Sequence, residues 1–187
     1  AKRRDARVID IFPIQRLDTT RPAWLQDKDK QHLILNAGTT EIWTSTTLAA
    51  YQTLQEDGFQ VIGLGTSPEV YEPLVLQVND RKVGLMSLTG LIQNPEEIAL
   101  TSRAGLPRAY HQDEVIEAVS EAKEKVDFLF VLIDWGGQWG QEPSMAQKVI
   151  AAAIVEGGGD VVVGNRPIHS QDMVNIAGKP VFYALGH

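Results

Sequence analysis

Two strand-like runs without a single polar side chain constrain the fold of this chain more than any other feature. Residues 128–133 read Phe-Leu-Phe-Val-Leu-Ile, and residues 161–163 are three consecutive valines. Strands this apolar are typical of parallel sheets that helices cover on both faces. A helical pattern over residues 112–125 precedes the first run. The sequence therefore predicts strand–helix–strand units with parallel strands.

The second run follows a helix that Pro143 and Ser144 are expected to open and that Gly157 ends. Residues 149–155 of this helix are almost wholly apolar, which predicts burial on more than one side. The long segment 92–110 has two prolines and no sustained period, so a surface loop is expected there.

The remaining pattern completes an α/β fold, a mixed sheet sandwiched by helices. The predicted elements are a strand at 33–35, a helix at 44–57, a strand at 60–63, and hairpins at 74–88 and 173–185. Residues 8–12 could form a strand, but residues 1–31 are poorly patterned and broken by prolines and a charged stretch, which predicts an extended arm before a domain at 32–187.

Composition narrows the possible functions. The 187 residues suit one domain, and 17 Lys plus Arg against 24 Asp plus Glu give a net charge of −7, which disfavours nucleic acid as a partner. The absence of cysteine excludes disulfides, thiolate zinc sites and cysteine nucleophiles. No apolar run reaches the ~18 residues of a membrane helix. Because the chain begins with Ala and stops after an apolar segment, we expect a processed or excised piece.

Ligands of open α/β sheets bind in loops beyond the carboxyl ends of the strands. Four glycine-containing or small polar loops occupy such positions, at residues 36–40, 63–66, 134–137 and 164–169. A site at the rim of the sheet is therefore expected, although tight strand-to-helix turns also require glycine.

The last third of the chain carries a series of motifs in a recognisable order. They are Asp134-Trp135-Gly136, Glu142-Pro143-Ser144 with Gln147, Gly158-Gly159-Asp160, Gly164-Asn165-Arg166-Pro167-Ile168, Gly178-Lys179-Pro180 and Tyr183-Ala184-Leu185-Gly186-His187. In order and spacing this region resembles the poly-γ-glutamate capsule-synthesis (CapA-type) family. The resemblance implies a calcineurin-like metallophosphatase fold, a four-layer sandwich or part of one. It also implies a role with a capsule or cell-envelope polymer and an extracytoplasmic or membrane-associated location, while the residues alone leave the cytoplasm open.

The chain departs from the family pattern where the family has histidines. Asp134 stands in place of the histidine of His-Trp-Gly, and Asn165, Arg166 and Ile168 replace those of Gly-His-His-Pro-His. A hydrolytic metal site needs three or more ligands around an ion. The candidate ligands that remain are Asn36, Asp134, Asn165 and His169, with Asp160 further back. The resemblance therefore implies a degenerate metal site with no bound cofactor, or alternatively a remodelled site for Mn, Zn or Mg.

Several side chains have two interpretations at this stage. Asp134 is either a metal ligand or the partner of loop amides or Arg166. Arg166 either grips an anionic group of a substrate or pairs with Asp134 or Asp160. Trp135 and Trp139 either form a stacking platform or pack as structural residues.

Two functions follow. The favoured one is a non-catalytic binding or assembly module, a pseudoenzyme whose partner is an anionic polymer or a protein. The alternative is a metal-dependent hydrolase or transferase with Asp134 and His169 as catalytic groups and Asn36 as a further metal ligand. Arg166, Asn165, Trp135 and Trp139 would then hold the substrate.

Overall fold

A computed structural model describes residues 8–10, 33–37, 45–92, 94–137 and 139–186. Its strands are β1 (Val8–Asp10), β2 (Leu33–Asn36), β3 (Gln60–Ile62), β4 (Leu74–Val78), β5 (Arg81–Thr89), β6 (Phe128–Asp134), β7 (Val161–Asn165), β8 (Gln171–Ile176) and β9 (Lys179–Ala184). Its α-helices are α1 (Ser45–Glu56), α2 (Gln112–Lys123) and α3 (Met145–Glu156). None of the helices within these ranges has the length and apolar character needed to span a bilayer.

The larger sheet has six strands in the order β4-β5-β6-β7-β9-β8. The four inner strands are parallel, and antiparallel β4 and β8 close the two edges. The predicted mixed sheet and both hairpins are therefore confirmed. In the second hairpin, Ala177 and Gly178 both have positive φ, at 49° and 84°, as the tight turn between two strands requires.

The smaller sheet consists of β1, β2 and β3, all parallel. Its first strand, Val8–Asp10, lies within the segment that the sequence analysis predicts to be an extended arm, so these three residues belong to a sheet instead. The rest of residues 1–31 lies outside the described residues, and the domain boundary at residue 32 stays a prediction.

Three apolar cores hold the elements in four layers. The largest core joins α2 and α3 to one face of the six-stranded sheet. On the other face, Ile62 of β3 packs against Leu85 and Leu132 and so brings the two sheets together. Tyr51 and Leu54 of α1 cover the outer face of the small sheet. The order is α2–α3, large sheet, small sheet, α1, which is the sandwich that the resemblance implies.

Two sequence expectations need correction. Helix α3 buries one broad face, which includes Ile150, Ala151 and Ile154, but Val149 is 36% exposed, so one side of the helix meets solvent. The segment 92–110 is not purely a surface loop. It turns inward, because Leu106 and Ala109 are at most 2% exposed, and Ala109 belongs to the core that includes residues of β5 and α2.

Two aspartates fasten the beginnings of neighbouring parallel strands in the same way. Asp127 precedes β6 and accepts a hydrogen bond from the backbone N–H of Lys82 at 2.7 Å. Asp160 precedes β7 and accepts one from the N–H of Leu129 at 2.9 Å. In both turns the aspartate also donates its own backbone N–H to the carbonyl oxygen of the same residue on the neighbouring strand, Lys82 for Asp127 and Leu129 for Asp160. The two turns differ mainly in burial, because Asp127 is 40% exposed and Asp160 only 8% in the side chain.

Candidate functional site between the two sheets

Polar side chains form a row across the carboxyl ends of three parallel strands. Thr89 of β5 stands opposite Asp134 of β6, which stands opposite Asn165 of β7. Residues that are directly opposite in a sheet point to the same face, and here that face carries Leu132 and meets the small sheet. The row therefore lies between the two sheets, at the edge where α/β proteins bind ligands.

The small sheet adds a polar group to the same space. Asn36, the last residue of β2, accepts a hydrogen bond on Oδ1 from the Ser87 hydroxyl of β5 at 2.7 Å. Both residues are 2% exposed. Ser87 lies two positions before Thr89, so it faces the same side of the sheet. This bond joins the carboxyl ends of two strands from different sheets.

Asp134 is the charged residue of the row. Its side chain is 2% exposed and forms an ion pair with Arg166. The guanidinium donates from Nε at 2.9 Å and from Nη2 at 2.8 Å, both to Oδ2. Arg166 follows β7 directly, and its side chain is 9% exposed. Of the two partners that the sequence leaves open for Arg166, the structure selects Asp134. Asp160 lies at the opposite end of β7 and binds Lys123 and Lys179.

The side chains predicted as metal ligands do not form one coordination shell. Asn36 and Asp134 are buried, whereas His169 is exposed, and no hydrogen bond joins His169 to either in the described part of the chain. No group of three or more His, Cys, Asp or Glu side chains that could hold an ion occurs among the described residues. Asn36 is engaged by Ser87 and Asp134 by Arg166. A divalent ion does not fit this donor set, because the guanidinium repels a second cation at the carboxylate.

The two tryptophans of the following loop have different environments. Trp135 is 2% exposed, donates its indole N–H to the carbonyl oxygen of Tyr183 at 2.8 Å, and stacks on the Tyr183 ring at 5.7 Å between centroids. Burial also raises the pKa of the Tyr183 phenol. Trp139 is 72% exposed. The exposed Trp139 and the buried Trp135 do not form a shared stacking platform.

A pocket of about 250 Å³ lies on the helix side of the same strand ends. Its floor is apolar and includes Ile133, Trp135 and Ile150, while Tyr110 and Ser144 stand at its rim. The polar groups around it are largely engaged within the chain, since the Tyr110 hydroxyl bonds both the N–H and the carbonyl of Ile92. This pocket suits an uncharged apolar group.

A glutamine pair supports the loop that carries the tryptophans. Gln147 caps α3 together with Ser144, and its Nε2 donates to Oε1 of Gln171 at 2.9 Å. Gln171 in turn donates to the carbonyl oxygen of Gly140 at 3.1 Å. Gly136 lies so close to Gln147 that a Cβ there would come within 2.8 Å of its Oε1. The loop is therefore held at both of its ends.

Sequence reasoning missed Ser87, Thr89 and Gln171. A signal for the first two was present, because Leu85-Met86-Ser87-Leu88-Thr89 places polar residues at alternate positions near the end of a buried strand. Gln171 carries no comparable signal, since its partner lies 24 residues away in the chain.

With this geometry in place, the chain can be compared with known proteins. A family model described as "Bacterial capsule synthesis protein PGA_cap" matches residues 44–187. The chain belongs to this family. It is similar to the "PGA biosynthesis protein CapA" of Bacillus subtilis (strain 168), with 32% identity over 72 residues that cover 38% of this chain and 19% of that protein.

The "Capsule biosynthesis protein CapA" of Bacillus anthracis is 26% identical over 154 residues, which cover 77% of this chain and 35% of that protein. The chain thus matches well under half the length of either curated relative. Among solved structures, a putative 5′-nucleotidase from Staphylococcus aureus, in complex with alpha-ketoglutarate, matches with a TM-score of 0.50 and 12% identity. That match covers 82% of this chain and 32% of the nucleotidase. It confirms the metallophosphatase-like fold that the resemblance implies.

Proposed function

We propose that this domain is a non-catalytic binding or assembly module of the machinery that makes a capsule or cell-envelope polymer. The family and the names of both CapA relatives support the link to capsule synthesis. In this proposal the domain keeps the scaffold of the family, holds no metal cofactor and acts outside the cytoplasm or at the membrane.

The observation that supports this proposal is that the candidate metal ligands are bonded to other side chains or exposed to solvent. Metal-assisted hydrolysis needs several ligands around one ion and an open position for water. Here the buried Asp134 carboxylate binds Arg166, Asn36 binds Ser87, and His169 is exposed. The side chains at the strand ends are therefore joined to one another, which favours a structural use of the site.

Charge favours a protein over an anionic polymer as the partner. The chain carries 24 acidic against 17 basic residues, and long-range repulsion slows the approach of a polyanion to such a surface. The apolar pocket beside Tyr110 and the exposed Trp139 are the surfaces on which an uncharged group of a partner can bury area.

The proposal is tested by measuring metal in the purified protein. We expect no stoichiometric Mn, Zn or Mg by elemental analysis after expression in metal-supplemented medium, and no binding heat at millimolar ion in calorimetry. Chelation with EDTA should leave the melting temperature unchanged. A near-stoichiometric ion that Asp134→Ala abolishes would overturn the proposal.

The same measurement decides the alternative, a divalent-metal-dependent hydrolase or transferase. One observation favours it: Asn36 and Asp134 are both buried, at the carboxyl ends of strands that belong to the two facing sheets. In that case His169 and Asp134 would serve the reaction, and the ion would have to displace Arg166 from the carboxylate.

A further inference from the structure

The Asp134 carboxylate lies where a negative charge needs a permanent partner. It is 2% exposed, at the end of a strand that is parallel to both neighbours, with Thr89 and Asn165 beside it in register. An ionised carboxylate in such a place is strongly unfavourable unless a cation and hydrogen bonds compensate it. In a metallophosphatase-like fold the implied cation at strand ends between the sheets is a metal, but the donor set described above does not fit one.

Arg166 supplies a positive charge at that place, and its backbone has an unusual conformation there. Its φ is +92°, in the left-handed region that a bulky side chain rarely adopts. Residues held in such conformations are strained and persist only where surrounding contacts stabilise them. The contact here is the pair of hydrogen bonds to Oδ2 of Asp134, at 2.8 and 2.9 Å.

From these observations we infer that Arg166 is the resident cation of the site, by which we mean a permanent positive charge in the position of a metal ion. Its guanidinium neutralises Asp134 and links the ends of β6 and β7. A guanidinium stays protonated at any physiological pH, and it binds water only through N–H donors rather than as the Lewis acid that a metal ion is. The site therefore keeps its charge balance and loses the means to activate water. The inference deepens the proposed function, on which it rests for the absence of a metal, but it makes a separate physical claim about Arg166.

A resident cation should be replaceable by a free cation of the same shape. Arg166→Gly removes the guanidinium and also suits the positive φ, so the vacancy forms without added backbone strain. We expect the melting temperature to fall by about 10 °C, as for the loss of one partner of a buried pair in a domain of this size. Guanidinium at roughly 10–50 mM, far below denaturing concentrations, should bind beside Asp134 and restore about 3–5 °C.

Matched controls isolate the site. Arg108 also binds a carboxylate, that of Glu114, but this pair is 34% and 49% exposed, so Arg108→Gly should show no recovery with guanidinium. The recovery should also vanish in Arg166→Gly combined with Asp134→Asn, which removes the carboxylate charge that Arg166 binds. Sodium chloride at equal ionic strength should not replace guanidinium. If Arg166→Gly fails to fold, Arg166→Asn serves instead, because asparagine tolerates the left-handed region.

The outcomes separate this inference from the proposed function. Recovery of Arg166→Gly by guanidinium, and by neither control condition, supports the resident cation. Equal responses of Arg166→Gly, Arg108→Gly and the wild type to guanidinium would overturn the inference, even if the wild type contains no metal. A stoichiometric metal in the wild type would overturn the proposed function whatever guanidinium does.

Discussion

Replacing Asp160 by asparagine should lower the free energy of unfolding, and the size of the loss can be worked out from the burial of Asp160 and its partners. Asp160 is 8% exposed and accepts three hydrogen bonds, from Lys123 and Lys179 at 2.6 Å and from the N–H of Leu129 at 2.9 Å. Asparagine keeps the shape of the side chain and one acceptor oxygen, but it removes the negative charge. The substitution therefore measures the charge rather than the packing.

The expected loss follows from the exposure of each partner. Lys179 is 40% exposed, so its share is that of a surface pair, about 0.5 kcal/mol. Lys123 is 29% exposed and contributes about 1–1.5 kcal/mol, and the weaker bond from a buried N–H to a neutral acceptor costs about 0.5–1 kcal/mol. Asp160→Asn should thus lower the free energy of unfolding by about 2–3 kcal/mol at pH 7, which corresponds to a melting temperature lower by about 4–12 °C.

The loss should depend on pH with a defined sign. Burial alone would raise the pKa of Asp160, but the hydrogen bonds from Lys123, Lys179 and Leu129 outweigh it and hold the pKa below its ordinary value. A lowered folded-state pKa gives stability that is fully present above the unfolded-state pKa of about 3.9. That stability is lost as the pH falls through the folded-state value. The difference between wild type and Asp160→Asn should therefore stay constant from pH 7 to 5 and shrink below pH 4.

Urea unfolding at pH 7, 5, 4 and 3 measures this difference directly. Asp127→Asn is the matched control, because Asp127 accepts from a backbone N–H at the start of the neighbouring strand but is 40% exposed, beside an Arg81 that is 76% exposed. Its effect at pH 7 should be clearly smaller. Equal losses for the two variants, or a loss for Asp160→Asn that does not change with pH, would refute the reasoning.

Three further substitutions test the surroundings of the site. Gly164→Ala should cost about 3 kcal/mol in urea unfolding, because its Cβ would collide with the carbonyl oxygen of Tyr183; a loss under 1 kcal/mol would contradict the packing described. Ser144→Ala should cost about 1 kcal/mol, since it removes the cap that accepts from the N–H of Gln147, and Ser144→Thr should recover most of it. Trp139→Ala should change stability by less than about 0.5 kcal/mol, because the side chain is 72% exposed, and a larger loss in thermal unfolding would show that it packs.

Much of the fold could be predicted because local patterns and tertiary structure agree. The apolar runs at 128–133 and 161–163 lie within the inner strands β6 and β7, and the helix expected at 44–57 is Ser45–Glu56. The strand at Val8–Asp10 was one of two interpretations and the arm was favoured, because prolines and a charged stretch follow it and its pairing with β2 is a long-range contact. The inward course of residues 92–110 depends in the same way on a partner distant in sequence, since the N–H of Gly65 donates to the carbonyl oxygen of Gly105.

The sequence located the loops that follow β6 and β7 but not the contacts within them. The position of these loops follows from topology, and that a ligand binds there stays a prediction. The sequence left open whether Arg166 pairs with Asp134. That pairing depends on the positive φ of Arg166, and no sequence pattern predicts a positive φ for an arginine. The exposure of His169 could not be predicted either, because a shift of one residue in a loop changes the direction of a side chain.

The motifs that match the family pattern in this chain are the ones that hold the strand ends together. Gly164 leaves room for the indole of Trp135, whose N–H binds the carbonyl oxygen of Tyr183 on β9. Gln147 fills the space above Gly136 and binds Gln171 of β8. These contacts span β6, β7, β8, β9 and α3 without using Asn36, Asp134 or His169. The helix-side packing that defines the fold is therefore independent of the residues that stand on the inter-sheet face.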